Sequence, residues 1–154
     1  MNLFGLMETS GSAMQAERMR AEIVAANMAN AETTRTETGG PYRRQHLVFE
    51  ANGREGEFAQ SMSSAGGAVM GSANAEPAGG VHIAQVFEDN QSPLKRYDPG
   101  HPDAGPDGYV AYPDINPVTE MVDLMGAARA YGLNGSAVQA EKGMIASALD
   151  IVKT

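Results

Sequence analysis

The chain has 154 residues, which is enough for one domain or two very small ones. Eleven Lys and Arg against 19 Asp and Glu give a net charge of −8, which disfavours a nucleic-acid-binding surface because such surfaces need clustered cations. The lack of Cys excludes a disulfide framework, a thiolate metal site and a cysteine nucleophile. No stretch approaches the ~20 apolar residues of a membrane span, and the N-terminus has no pattern of a cleaved secretory signal.

Helix-breaking residues are concentrated in the middle of the chain. Residues 31–115 hold seven of the eight Pro and 12 of the 18 Gly, whereas eight of the ten Met lie outside them. The sequence therefore predicts a mostly α fold with a small β lobe. We expect an N-terminal helix at 1–34, a turn-rich middle lobe with β structure at 35–115, and a C-terminal helix at 116–154.

The first predicted helix runs from about Leu3 to Asn30. Apolar residues recur on a heptad-like spacing along one side, and a second stripe follows the opposite side. A surface helix of a small globular protein normally has one apolar stripe, so two stripes indicate burial between more than one neighbour. The candidate subunit-interface residues of this segment are Leu3, Met7, Met14, Met19, Ile23, Val24, Asn27, Met28 and Asn30.

The last segment has the pattern of a second long helix. Asn116 suits the N-cap, Pro117 suits the first helical position, and Glu120 is an acid near the helix N-terminus. A continuous helix over 117–154 would be ~57 Å long, which exceeds the roughly 30–40 Å diameter of a compact chain of this size. Such a rod projects or packs against other chains. The candidate subunit-interface residues here are Met121, Leu124, Met125, Ala128, Tyr131, Val138, Met144, Ile145, Leu149 and Val152.

Four glycines interrupt this predicted helix: Gly126, Gly132, Gly135 and Gly143. Each costs ~1 kcal/mol relative to Ala in a helix interior, so the isolated helix is expected to be mostly unwound in water. Either the chain forms two shorter helices with a loop near Gly132–Gly135, or the small residues allow close backbone approach and the cost is recovered in an assembly.

Three short segments of the middle lobe predict β-strands: Gln45–Glu50, Val81–Phe87 and Gly108–Tyr112. Each has β-branched or aromatic residues and is bounded by turn formers. Between the first two lies a stretch rich in Gly, Ala and Ser with no strong hydrophobic pattern, so a flexible insertion is predicted at about 52–79. Three strands can make a small sheet or hairpin lobe.

Motifs that carry enzymatic chemistry are scarce. The sequence has neither a Gly-x-Ser-x-Gly nucleophile elbow nor a Walker-type phosphate loop. His46, His82 and His101 are isolated, so none is favoured as a metal ligand. The basic pairs Arg43–Arg44 and Lys95–Arg96 are interpreted as solvated or partner-contacting charges. The sequence therefore predicts no enzyme and no cofactor.

The best metal candidate is the loop from Asp103 to Asp114. Asp103, Asp107 and Asp114 occupy positions one, five and twelve of a calcium-loop pattern. Position three is Gly, position twelve is Asp and not Glu, and Pro-rich sequence precedes the loop where a helix should be. Two turns that lead into a strand are therefore the favoured interpretation.

The segment Ser10–Ala31 resembles the N-terminal signature of flagellar basal-body rod proteins, and its Asn-x-Ala-Asn-Ala core at Asn27–Ala31 is the most specific part. Other segments resemble the proximal-rod member of that family: Gly40–Phe49, Tyr97–Pro102, Gly108–Asn116, Thr119–Asp123 and Ala128–Tyr131. The likeness covers nearly the whole chain except about 52–79.

This resemblance implies a structural protein of the flagellar basal body, exported by the flagellar type III apparatus without a cleaved signal peptide. Its terminal helices would pair as a coiled-coil hairpin, and its subunits would stack helically into a periplasmic rod that links the membrane ring to the distal rod and hook and transmits torque. Expected partners are other copies of itself, other rod proteins and the ring-to-rod junction protein, with no nucleic acid and no direct membrane span. The alternative is a standalone helical-hairpin adaptor that binds a partner helix.

Overall fold

A computed structural model describes residues 3–52 and 79–152 of the chain. Two long helices and two small antiparallel hairpins confirm the mostly α class, while the predicted insertion lies outside the described residues except at its two end positions. The elements in chain order are helix α1 (Leu3–Ala29), strands β1 (Gln45–Ala51), β2 (Val81–Glu88), β3 (Leu94–Tyr97) and β4 (Tyr109–Tyr112), and helix α2 (Pro117–Val152).

Asparagine side chains define the helix ends that face the β lobe. At the end of α1, Asn30 Nδ2 donates to the carbonyl of Ala26 at 2.9 Å and closes the last turn. At the start of α2, Asn116 Oδ1 accepts a hydrogen bond from the backbone N–H of Val118 at 3.0 Å. The predicted N-cap and the position of Pro117 as the first helical residue are confirmed.

The two helices pack side by side and run antiparallel. Asn27 near the end of α1 contacts Glu120 at the start of α2, and Met14 in the middle of α1 lies beside Gly135 in the middle of α2. With 27 residues in α1 and 36 in α2, their lengths are about 40 and 54 Å. The C-terminal end of α2 therefore extends past the start of α1.

Helix α2 is continuous through all four of its glycines. The alternative of two shorter helices with a loop near Gly132–Gly135 is therefore wrong. A Cβ built on Gly126, Gly132 or Gly143 would meet no atom within 4 Å among the residues that the structure describes. Packing within the chain thus does not explain why glycine occupies these positions.

Strands β1 and β2 form an antiparallel hairpin whose register shifts between Val48 and Phe49. It lies along α1, because Gln45 at one end bonds Asn27 and the backbone N–H of Val81 at the other end donates to Ser12 Oγ at 3.1 Å. On α1 the two contacts are fifteen residues apart, which is about 23 Å of helix. Along the hairpin they are separated by the seven residues of β1, because Val81 pairs with Ala51, and this is a similar length. Helix α1 thus packs against both α2 and this hairpin, as its two apolar stripes predicted.

Strands β3 and β4 form the second antiparallel hairpin. The sequence predicted β1, β2 and β4 but not β3, whose segment Leu94–Tyr97 is exposed throughout and has two charged residues. Strand β4 leads directly into α2. Within residues 3–52 and 79–152, the buried apolar residues are Ala16, Ile23, Val24, Val110, Ile115 and Ala127, none of which is aromatic.

Candidate assembly interface

Helix α2 leaves most of its large apolar side chains in solvent. Met121 is 52% exposed, Leu133 74% and Ile151 76%. Soluble monomers rarely expose so many large apolar side chains on one element, and such surfaces usually mark protein contacts. We call the exposed apolar residues away from α1 the outer face of α2: Val118, Met121, Val122, Met125, Leu133, Leu149 and Ile151. The exposed Tyr131 and Met144 lie three or four residues from the positions that pack on α1 and are therefore not counted in it.

The most buried positions of α2 form a strip of small and polar residues on the side that packs on α1. Glu120 and Ala127 are 1% exposed and Glu141 is 3% exposed, with Asn134 half-buried between them. These positions are separated by seven residues, so they lie on one side of the helix. Larger apolar residues flank this strip, since Leu124, Val138 and Ile145 are half-buried and Gly135 lies beside Met14.

The candidate interface residues are divided between the inside and the outside of the chain. On α1, Ile23, Val24 and Asn27 are buried, Met7, Met14, Met28 and Asn30 are half-buried, and Met19 is exposed. On α2, Leu124, Val138 and Ile145 are half-buried, whereas Met121, Met125, Ala128, Tyr131, Met144 and Leu149 are exposed. Leu3 and Val152 lie at the limits of the described helices. The α1 candidates therefore pack mainly within the chain, and contacts between subunits remain a prediction that fits the α2 candidates better.

A partly buried polar cluster joins both helices to β1, and we call Arg20, Asn27, Arg44, Glu120 and Asp123 the polar joint. Its centre is Asn27, which is 1% exposed. Asn27 Oδ1 accepts from the backbone N–H of Gln45 at 2.9 Å, and Asn27 Nδ2 donates to the carbonyl of Gln45 at 2.9 Å. The side-chain amide thus satisfies the first residue of β1 as a neighbouring strand would.

The charges of the polar joint bring α2 against β1 and α1. Arg44 Nη2 lies 2.6 Å from Glu120 Oε1, and Asn27 Nδ2 donates to Glu120 Oε2 at 3.3 Å. On the exposed side, Arg20 Nη2 lies 3.4 Å from Asp123 Oδ1. Two arginines balance two carboxylates, so the buried Glu120 is compensated by a cation and a hydrogen-bond donor.

Tyr42, which lies in the segment before β1, also contacts the polar joint. Its hydroxyl donates to Asn27 Oδ1 at 3.2 Å. Burial raises the pKa of Tyr42 above its ordinary value of 10.0, and the negative charges of Glu88 and Glu120 raise it further. The neutral phenol is therefore the form that the folded chain favours.

No local sequence pattern predicts the polar joint. The sequence does not distinguish Arg43 from Arg44, but only Arg43 is exposed, where it donates to Asn90 Oδ1 at 2.9 Å. Arg44 instead holds Glu120, so its interpretation as a solvated charge is wrong. The one available signal was the specificity of the Asn27–Ala31 motif, which indicated that Asn27 matters but not which residues it contacts.

The calcium-loop candidate does not gather its carboxylates. Asp103 Oδ2 accepts from Thr34 Oγ1 at 2.8 Å, and its Oδ1 lies 3.6 Å from Arg35 Nη1. In the part of the chain that the structure describes, no group of three or more His, Asp or Glu residues could hold a metal ion. Turns precede β4, since the N–H of Ala104 bonds the carbonyl of His101 and that of Gly108 bonds Gly105. The arrangement fits the two-turn interpretation.

Comparison with known proteins identifies related sequences at both ends and over the full length. The family described as "Flagella basal body rod protein" matches residues 7–35, and the family described as "Flagellar basal body rod FlgEFG protein C-terminal" matches residues 107–151.

Within residues 3–52 and 79–152, neither helix has the length and sustained hydrophobicity that crossing a bilayer requires.

Three relatives carry the name flagellar basal-body rod protein FlgC. The Bacillus subtilis protein is 39% identical over 157 residues, covering 99% of this chain and all of the relative. The Borreliella burgdorferi protein is 36% identical and covers 99% of both chains. The Salmonella typhimurium protein is 32% identical and covers 98% of both. Because these likenesses span both helices and the lobe between them, the chain belongs to the FlgC family of flagellar basal-body rod proteins.

Proposed function

We propose that this chain is a structural subunit of the proximal rod of the flagellar basal body, and that it assembles helically with copies of itself and other rod proteins through its terminal helices. Membership of the family supports a structural role without enzymatic activity. The observation that carries the proposal is the outer face of α2, where large apolar residues stay in solvent while small and polar residues pack on α1. A neighbouring subunit would bury the apolar side chains of the outer face.

A helical rod requires two different contact surfaces on each subunit, because heterologous contacts repeat along the array. The outer face of α2 is one candidate surface. The exposed apolar residues of the β hairpins offer another on a separate part of the chain, with Val48, Val86, Phe87 and Leu94 more than 40% exposed. Met residues on the helices suit contacts with neighbours that are similar but not identical.

Further proposals concern how the subunit is exported, where it lies in the basal body and how it transmits torque. We infer that the subunit is exported by the flagellar type III apparatus without a cleaved signal, that its terminal helices pair as a coiled coil in the periplasmic rod, and that it links the ring-to-rod junction protein to the distal rod and hook. The polar joint supports torque transmission, since Glu120 of α2 is tied to Arg44 beside β1 and to Asn27 of α1. Load on the lobe would therefore reach both helices directly.

The experiment replaces Met121 and Met125 together by Lys and measures swimming and the amount of the subunit in isolated basal bodies. Both side chains are about half exposed, so the free chain should keep its stability within about 0.5 kcal/mol. Swimming and incorporation should be lost, because two cations would lie in an apolar contact. The amount of exported subunit is measured in parallel to separate failed export from failed assembly.

The matched control is Gln139→Lys, because Gln139 is exposed on the same side of α2 but is already polar. It should swim normally. A double methionine variant that enters basal bodies at the natural level would refute the proposal. The likeness to rod proteins over the full length favours this function over the standalone adaptor; a chain lacking residues 1–30 that still supports rod assembly would also contradict it.

A further inference from the structure

Two methionines lie about one turn apart on the outer face of α2. Met121 is 52% exposed and Met125 is 51% exposed. Because they are four residues apart, their side chains lie next to each other on the same side of the helix. Both thioethers are therefore open to small solutes in the free chain, on the surface that we propose a neighbouring subunit covers.

Other methionines of the two helices have different surroundings. Met7, Met14 and Met28 of α1 are half-buried, and Met14 lies beside Gly135 of α2. Met144 is 53% exposed, but it does not belong to the outer face. The chain thus contains exposed and shielded methionines, so their reactivities can be compared within one molecule.

Methionine is the one side chain type of the outer face that a mild oxidant changes chemically. The sulfur gives two electrons to one oxygen of hydrogen peroxide, so that the O–O bond breaks, an S–O bond forms and water leaves. The product, methionine sulfoxide, is polar. Leu133 and Leu149 occupy other positions of the same face, so apolar character alone does not require methionine at positions 121 and 125.

We propose that Met121 and Met125 form a redox-sensitive modification site, and that their oxidation to sulfoxides by a peroxide keeps the free subunit out of the rod. Two sulfoxide oxygens would lie in one apolar contact without hydrogen-bond partners, which costs free energy. Reduction by a methionine sulfoxide reductase would restore the subunit. The reactivity of the two methionines is a property of the free chain, and only its effect on assembly rests on the proposed function.

The first measurement treats the purified full-length chain with hydrogen peroxide and follows the sulfoxide at each methionine by peptide mass spectrometry. Met121 and Met125 should oxidise roughly three to ten times faster than the half-buried methionines, because their sulfurs are more accessible. Met144 is the matched control for exposure and should oxidise about as fast as Met121 does. Rates at Met121 and Met125 that equal those of Met14 and Met28 would overturn the assignment of a selective site.

The second measurement follows assembly in cells. A short pulse of hydrogen peroxide reaches the unassembled subunit, catalase removes the peroxide, and rod assembly is then allowed to proceed. The fraction of sulfoxide at Met121 and Met125 should be lower in isolated basal bodies than in the unassembled subunit by roughly threefold or more. Equal fractions in the two samples would overturn the effect on assembly.

The double variant Met121→Leu and Met125→Leu removes the reactive sulfurs and nearly conserves side-chain volume. The peroxide pulse should lower incorporation of the natural chain and of the control Met144→Leu, but not that of the double variant. Each chain is compared with its own untreated culture, so a change in basal incorporation does not affect the result. Equal sensitivity of the double variant and the natural chain would also contradict the proposal. The oxidation rates of the purified chain hold even if the variant with Lys at both positions enters basal bodies, a result that would refute the proposed function.

Discussion

Asn27 pairs with Gln45 through both of its amide groups, at 2.9 Å for each hydrogen bond. A side chain of α1 thus bonds the edge of β1 at Gln45 as a further strand would, while Gln45 also pairs with Glu88 of β2. The most specific motif of the sequence therefore has an internal role, since it fixes where the lobe begins relative to the helix. Its Asn30 also acts locally, by closing the last turn of α1.

Asn27→Ala should destabilise the chain by about 2–4 kcal/mol, because it leaves the N–H and carbonyl of Gln45 without their side-chain partner and removes one of the two donors that reach the buried Glu120. Denaturant unfolding followed by circular dichroism measures the loss. Asn90→Ala is the control, since Asn90 is exposed and should cost less than about 0.5 kcal/mol. Equal effects of the two substitutions would contradict the internal role of Asn27.

Arg44 and Glu120 should be strongly coupled in a double-mutant cycle. Their atoms lie 2.6 Å apart and Glu120 is buried, so Arg44→Met should cost about 3 kcal/mol by leaving a buried charge without its cation. The pair Arg44→Met and Glu120→Leu together should cost about 1–3 kcal/mol less than the sum of the single changes. Arg43→Met, at an exposed neighbour, should change the unfolding midpoint little. Additive effects at Arg44 and Glu120 would show that the pair is not formed.

Stability should fall at alkaline pH through Tyr42. Since the folded pKa of Tyr42 is raised above 10.0, its stabilising contribution is fully present below the unfolded pKa and is lost as pH rises through the folded pKa. Tyr42→Phe should therefore flatten the loss of stability above about pH 10, although it also removes the hydrogen bond to Asn27. Urea midpoints between pH 8 and 11.5 measure this. Tyr97→Phe is the exposed control, and an unchanged pH slope in Tyr42→Phe would contradict the assignment.

Gly132→Ala and Gly143→Ala together should stabilise the free chain and weaken the assembly. Each Cβ enters open space in the chain, and each Ala gains about 0.5–1 kcal/mol of helix propensity. Both glycines lie opposite the strip that packs on α1, so a closely packed neighbour in the rod would meet the new methyl groups. Circular dichroism measures the first effect and basal-body incorporation the second. Normal incorporation would show that no neighbour approaches α2 closely at these positions.

Local signals predicted the helix starts and most of the strands. Asn116 and Pro117 have a standard capping pattern, and β1, β2 and β4 have β-branched or aromatic residues between turn formers. Strand β3 has no such pattern, because Leu94–Tyr97 is stabilised by pairing with β4 and not by burial. A strand of this kind depends on its partner, which lies beyond a loop.

The polar joint and the packing strip of α2 could not be predicted for a different physical reason. Arg44 and Glu120 are 76 residues apart, so no periodic pattern connects them. Hydrophobic periodicity selects the largest apolar residues, such as Met121 and Leu133, but these face solvent in the single chain. The strip that contacts α1 contains Asn134 and Glu141, which hydrophobic periodicity does not select. This mismatch is what we expect if the exposed apolar residues serve contacts with other subunits.

The hairpin of β1 and β2 is closed by a hydrogen bond from the backbone N–H of Asn52 to the carbonyl of Gly80, at 2.9 Å. The chain leaves and rejoins the hairpin at this one point, beside Ser12 of α1. Doubling the number of residues between Asn52 and Gly80 would raise the entropic cost of closing this loop by only about 0.6 kcal/mol and would not shift the register of either strand. Evolution can lengthen or shorten the subunit here, and an epitope tag placed between them would report its location in the basal body.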